Sequence, residues 1–217
     1  MRLVSINVAR PSRVLLGGRA RHTAILKQPV AGPVELGELG LAGDEVGSTK
    51  HHGGPDQAVY AYGTDDYAWW SRELGQALAP ATFGENLTIE GLRSGELCVG
   101  DRLEVGDAVV LEVAAPRIPC ANLAARMGDP LFVKRFARAA RPGAYLRVIR
   151  SGTVEAGDPV RLVAAPDTAL PIIELLALYF DRKAPPERLA AALAAPVAVR
   201  ARRDLQARYD RRQARAG

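Results

Sequence analysis

The feature that most constrains this chain is its punctuation. Up to about residue 165, short apolar runs alternate with Gly, Pro and Asp. Three Gly-Asp pairs, at 100–101, 106–107 and 157–158, stand where apolar runs begin, the place for tight turns between strands. Many short strands at such spacing make a closed or nearly closed sheet. In the opening strand Leu3, Ser5 and Asn7 face one way and Val4, Ile6 and Val8 the other. Further strands are expected at 22–27, 33–36, 57–62, 86–89, 102–106, 108–114, 144–150 and 159–164. A helix is expected at 64–75, with Thr64 as its cap, and another across 120–139, split in two by Gly128 and Pro130.

After Pro166 the character changes. Asp167 and Thr168 offer an N-cap to the apolar run IIELLALYF, Pro185-Pro186 opens an Ala/Leu-rich stretch, and Pro196 precedes an Arg-rich one. Three helices of roughly 10–16 residues are expected, too small a group to be stable without packing on the β domain or a partner. The expected class is therefore mainly β with α: a β domain over residues 1–165 and a small C-terminal three-helix bundle over 166–217.

A composition of 48% apolar and 24% charged residues is ordinary for a globular protein. No apolar run approaches the roughly 20 residues of a membrane span, and the start MRLVSINVARPSRV has no secretory h-region. Two cysteines, Cys98 and Cys120, make no disulfide framework. A cytoplasmic protein without a membrane partner is expected. The net charge of +5 invites a nucleic-acid reading. However, seven Arg and two Asp within residues 200–217 account for all of it, and Tyr209 is the one aromatic residue there. A basic footprint confined to one terminal helix reads as a solvated helix end rather than a nucleic-acid interface.

Cys120 is the sharpest candidate for chemistry. It follows the apolar strand AVVLEV and the segment AAPRIP, and directly precedes a helical stretch. A thiol at a helix N-terminus meets free N–H groups that favour thiolate, and Arg117 adds positive charge. A small buried hydrophobe is the alternative. Cys98, within GELCVGD, reads as an ordinary strand cysteine. A second cluster joins Asp44 to the glycine-rich loop Lys50-His51-His52-Gly53-Gly54-Pro55-Asp56-Gln57. Adjacent histidines on an extended chain point opposite ways, and no zinc-type spacing accompanies them. Glu85 and Asn86, in FGENLT, could hold ligand atoms or tie their turn together. Arg147 shares a strand face with Tyr145 and Ile149. It suits either a fixed fork for phosphate or carboxylate, or an ion pair with an acid such as Asp44.

Taken together, GLAGDE (40–45), HHGGPDQAVYAY (51–62), FGENLTIEGL (83–92), VGDRLEVG (99–106), PRIPCANL (116–123) and GAYLRVIRSGTVEAGD (143–158) resemble MOSC-domain proteins of the small YiiM-like type, in the family's order. The C-terminal region looks like the three-helix extension of that type. The resemblance implies a MOSC-type β-barrel that binds molybdenum cofactor, a pterin dithiolene carrying one phosphate. It implies Cys120 as the ligand to molybdenum and a catalytic residue. His52 matches the family histidine and is the implied proton donor. Lys27, Arg117 and Arg147 match basic positions suited to a phosphate, and Asp44, Glu85 and Asn86 match polar positions. Many relatives carry Lys two residues after the cysteine, where this chain has Asn122.

The implied reaction is reduction of N-hydroxylated compounds such as hydroxylaminopurine bases, R–NHOH to R–NH2, by a molybdenum-dependent oxidoreductase. With no dinucleotide fingerprint and no cysteine cluster, electrons would come from a separate flavoprotein or similar reductase. Two rivals remain open: a non-catalytic cofactor or sulfur carrier using the same Cys120, and a nucleic-acid module using the basic helix. The Ala/Leu-rich appendix also suits a homodimer.

Overall fold

The computed structural model describes residues 1–47 and 53–214. Strand β1 (Arg2–Val8) leads to the hairpin β2 (Ser12–Leu16) and β3 (Arg19–Thr23), then to β4 (Gln28–Val30), β5 (Val34–Gly37) and β6 (Gly40–Leu41). β7 (Val59–Gly63) runs straight into α1 (Thr64–Leu74), followed by β8 (Leu87–Glu90), β9 (Arg102–Val105) and β10 (Val109–Pro116). α2 (Ala121–Arg126) and α3 (Phe132–Ala139) separate β10 from β11 (Ala144–Arg150), β12 (Gly152–Val154) and β13 (Val160–Val163). α4 (Ile172–Phe180), α5 (Pro186–Ala194) and α6 (Val199–Gln213) come last.

Eight strands form one sheet in the order β13-β9-β10-β11-β7-β8-β1-β4, antiparallel except for the β7–β8 pair. The expected barrel does not close as a ladder. β1 meets the segment before β13 at a single bridge, Arg2 opposite Pro159, flanked by Leu3 N–H to Asp158 C=O and Val160 N–H to Met1 C=O, each 2.9 Å. Gly157 N–H to the Leu3 carbonyl (2.7 Å) completes this contact, which joins residues 1–3 to residues 157–160 without becoming a strand pair. β12-β5-β6 and the β2–β3 hairpin are separate small sheets.

Burial explains the central strands. Along β7, Val59 and Ala61 enter the main core with Leu3, Ile6, Leu87, Leu103, Leu111 and Leu146, while Tyr60 and Tyr62 enter an aromatic cluster with Tyr67, Trp70, Phe83, Phe132 and Phe136. That period of two buries the strand on both faces. The expected strand at 22–27 is displaced, because β3 ends at Thr23 and the following turn buries Ile25 and Lys27. The cap of α1 is Gly63 rather than Thr64. A Cβ at Gly63 would lie 1.8 Å from the Leu92 carbonyl oxygen, so the strand-to-helix junction has no room for a side chain.

The C-terminal helices are no free-standing bundle. Leu175, Leu178, Leu189, Ala192 and Leu205 share a core with Val99 and Leu170, and α4 lies against β10. α4 starts at Ile172 behind Pro171, later than the cap expected at Asp167 or Thr168, because Ile172 N–H bonds to the Leu97 carbonyl. No helix among the described residues is long and apolar enough to cross a membrane.

Candidate cofactor and substrate cleft

A cleft of about 990 Å³ brings together residues from β7, β10 and the loops beside them with residues of α4 and α6. Cys120 enters it from the loop that follows β10, between Pro119 and Ala121. It is the N-cap of α2, a helix of only six residues, and is partly buried. Arg117, three residues earlier, is 5% exposed. Its guanidinium lies 5.0 Å from the Tyr60 ring centroid and donates to the Phe83 carbonyl. Burial works against this charge, yet Tyr60, Tyr145 and Cys120 beside it hold the guanidinium above its ordinary pKa.

The second cluster is a buried polar network. Lys27 and Asp44 form an ion pair with side chains 9% and 10% exposed. Asp44 also accepts from the Ala9 N–H (2.8 Å) and from Asn86 Nδ2 (2.8 Å). Asn86 Oδ1 in turn accepts the Tyr60 N–H at 3.1 Å. Burial lowers the Lys27 pKa, and Asp44 partly restores it. Lys27, Asp44 and Asn86 line the cleft with Arg117 and Cys120. Asn122 lines it too, accepting from Arg21 Nη1 at 2.9 Å and donating to Thr23 Oγ1 at 3.3 Å. This clips the β2–β3 hairpin to α2. Arg21 thus stands against Asn122, two residues after the cysteine. No motif marks it in the sequence; strand pairing alone brings it there.

Two expected site residues are placed elsewhere. Glu85 is fully buried outside the cleft lining, and its Oε1 accepts from Tyr67 Oη (2.6 Å), the Ala81 N–H (2.7 Å) and Thr88 Oγ1 (2.8 Å). It ties its loop together. Arg147 is no open anion fork. It pairs with Asp56 at 3.0 Å and Glu112 at 3.2 Å and donates to the Pro196 carbonyl at 2.8 Å. The acid expected as its partner, Asp44, is taken by Lys27. His51 and His52 lie outside the described residues, although Gly53 and Gly54 just after them line the cleft. Cys98 does not line the cleft, and burial, with Asp101, pushes its thiol pKa up.

What sequence reasoning missed is the other wall. Leu175 and Tyr179 of α4, and Arg200, Ala201, Asp204, Leu205 and Arg208 of α6, all line the cleft. Ala201, Leu205 and Arg208 recur at helical spacing on one face of α6. That face was legible in principle, but the arginine-rich composition masked it. The expected solvated helix end is therefore a wall of the cleft.

Residues 48–161 match the MOSC domain. The chain belongs to the MOSC-domain family. A Bacillus subtilis (strain 168) protein, YflK, is 35% identical over 162 residues, spanning 75% of this chain and 73% of that protein. Protein YiiM of Escherichia coli (strain K12) is 37% identical over 148 residues, 66% of this chain and 65% of its own length. A Gibberella moniliformis protein named Reductase is 35% identical over 167 residues, but this MOSC chain spans only 29% of its length. The crystal structure of YiiM from Geobacillus stearothermophilus superposes with a TM-score of 0.78 at 29% identity, covering 96% of this chain and 98% of that one. The chain is thus a small YiiM-like MOSC protein with a mixed α/β fold around one large sheet.

The donor set can be tested against the cofactor associated with MOSC domains. Among the described residues no three His, Cys, Asp or Glu side chains are placed to hold a bare metal ion. A cleft with one thiol, a buried guanidinium, a buried lysine–aspartate pair and space for an organic molecule suits a metal that arrives already chelated, and needs only one soft protein ligand. The residues fit.

Proposed function

We propose that the cleft binds molybdenum cofactor and that the protein is a molybdenum-dependent oxidoreductase reducing N-hydroxylated compounds, with electrons from a separate flavoprotein or similar reductase. The observation that carries this reading is the convergence of Cys120, Arg117 and Lys27 on one cleft of small-molecule size. When bound, the cofactor would supply the two-electron redox couple. Cys120 would serve as thiolate ligand. Arg117, fixed by the Phe83 carbonyl and the Tyr60 face, offers charged N–H donors to a phosphate. Lys27, ion-paired with Asp44, adds a further N–H donor to the same lining. The substrate change balances as R–NHOH plus two electrons and two protons giving R–NH2 and water. Protons must reach the departing oxygen, and His52, just before cleft residues Gly53 and Gly54, is the donor in this reading.

The test is molybdenum and pterin content, measured together on protein purified anaerobically from a cofactor-competent host, with Cys120→Ala in parallel. Near-stoichiometric metal and pterin in the wild type, with metal lost in the variant, is expected. Turnover with a chemical reductant then separates an enzyme from a carrier. A wild type without pterin, under conditions that load a control molybdoprotein, overturns the reading.

A further inference from the structure

The cleft has two chemically different parts. Lys27, Asp44, Asn86 and Arg117 give it buried charge and hydrogen bonds. Elsewhere its lining mixes apolar side chains with polar ones, Glu45, Gln57, Asp204 and Arg208 among them. Leu39 of the β5–β6 turn (71% exposed), Val46 of the loop after β6 (40%) and Tyr179 of α4 (43%) are three of twelve exposed large apolar side chains among the described residues, and all three line this cavity. They are far apart in sequence, and the fold brings each of them to this one cavity. Apolar surface collected at a concave site marks ligand recognition rather than scatter. Leu175 and Ala201 add apolar surface to the helical wall, which also carries Arg200, Asp204 and Arg208. At about 990 Å³ the cleft stands near the top of the range for small-molecule sites, large enough for a substrate beside a cofactor. The MOSC match stops at residue 161, before the helices that supply Tyr179 and Ala201.

We propose that Leu39, Val46 and Tyr179 form a substrate-selecting subsite that holds the apolar ring of an N-hydroxylated compound. The inference rests on the proposed function above for its chemistry, but not for its binding. The polar part of the cleft is occupied by ion pairs and by the groups suited to a phosphate. A ring therefore gains most on the apolar rim, and Tyr179 offers it an aromatic face.

The experiment compares wild type with Leu39→Ser/Tyr179→Ser, both exposed positions, and with Tyr179→Phe, which keeps the ring. Cofactor-loaded protein is assayed with reduced methyl viologen on phenylhydroxylamine and on the small, polar N-hydroxyurea. The ratio of kcat/KM for the aromatic over the small substrate is expected to fall about tenfold in the double variant, through KM, and to hold in Tyr179→Phe. An unchanged ratio overturns the proposal. Calorimetric titration with acetanilide, a ring compound lacking the N–OH group, tests the subsite whether or not the protein turns over. Binding about tenfold weaker in the double variant supports it; equal binding, or none to the wild type, overturns it. Wild type that binds acetanilide but neither loads cofactor nor reduces either substrate sinks the proposed reaction and leaves the subsite standing.

Discussion

Asp44 does the most at the scale of single residues, because one carboxylate neutralises Lys27 and accepts from Ala9 and Asn86. Removing its charge leaves a buried ammonium unpaired, a loss of about 3 kcal/mol. Asp44→Asn should therefore lower the urea-unfolding free energy by about that much at neutral pH, and Lys27→Met in the same chain should recover part of it. The sign of the pH dependence follows from burial, which holds the Lys27 pKa below its ordinary value. Between the folded and unfolded pKa values the unfolded chain binds more protons, so stability rises with pH there. In Asp44→Asn the deficit should shrink as pH climbs towards the ordinary lysine range; a deficit constant with pH would refute the assignment. At this scale much of the site was legible. Cys120, Arg117, Asp44 and Asn86 stand in short motifs whose neighbours are in the sequence itself. Glu85 and Arg147 stayed open between ligand and scaffold, since neither a turn position nor alternation along a strand gives the partner a side chain meets.

Among the elements, α6 is held by a clamp that no local pattern announces. Asp56 accepts the Val199 N–H at the first residue of α6 (2.7 Å) and pairs with Arg147 of β11 (3.0 Å). Arg147 also reaches the Pro196 carbonyl, just before the helix. A carboxylate at a helix N-terminus is favourable by charge as well as by hydrogen bonding. Asp56→Ala should loosen α6 by about 1 kcal/mol, seen as faster hydrogen exchange along α6 with β10 and β11 unchanged. Uniform exchange across all three elements would show that the clamp does not hold the helix. This clamp had no signature in the sequence because its groups lie about 50 to 140 residues apart.

For the molecule as a whole, the aromatic layer between the sheet and α1–α3 sets the limit on the alkaline side. Tyr60, Tyr62, Tyr67 and Tyr145 all have pKa values raised above the ordinary tyrosine value, burial being the largest cause in each. A phenol that ionises only after unfolding stabilises the fold fully below its unfolded pKa, and that contribution is lost as pH rises above it. Each such group costs about 1.4 kcal/mol per pH unit beyond roughly pH 10. The protein should unfold cooperatively there, with tyrosinate absorbance from these rings appearing together with loss of secondary structure. Tyrosinate appearing well before unfolding would show that the layer is open to water.

The sequence by itself determined most strands of the main sheet, though not β4 or the β2–β3 hairpin, together with the split helical segment at 120–139, the three late helices and the loop that carries Cys120. These depend on turn residues, prolines and periodicity within a few positions of one another. Tertiary structure alone decided that the sheet stops short of a closed ladder at Pro159, that Arg147 and Glu85 serve the scaffold, and that α4 and α6 wall the cleft. Those outcomes depend on which distant groups meet once the chain is compact. Pairing energies and buried space are properties of the assembled molecule, and no local stretch of sequence contains them.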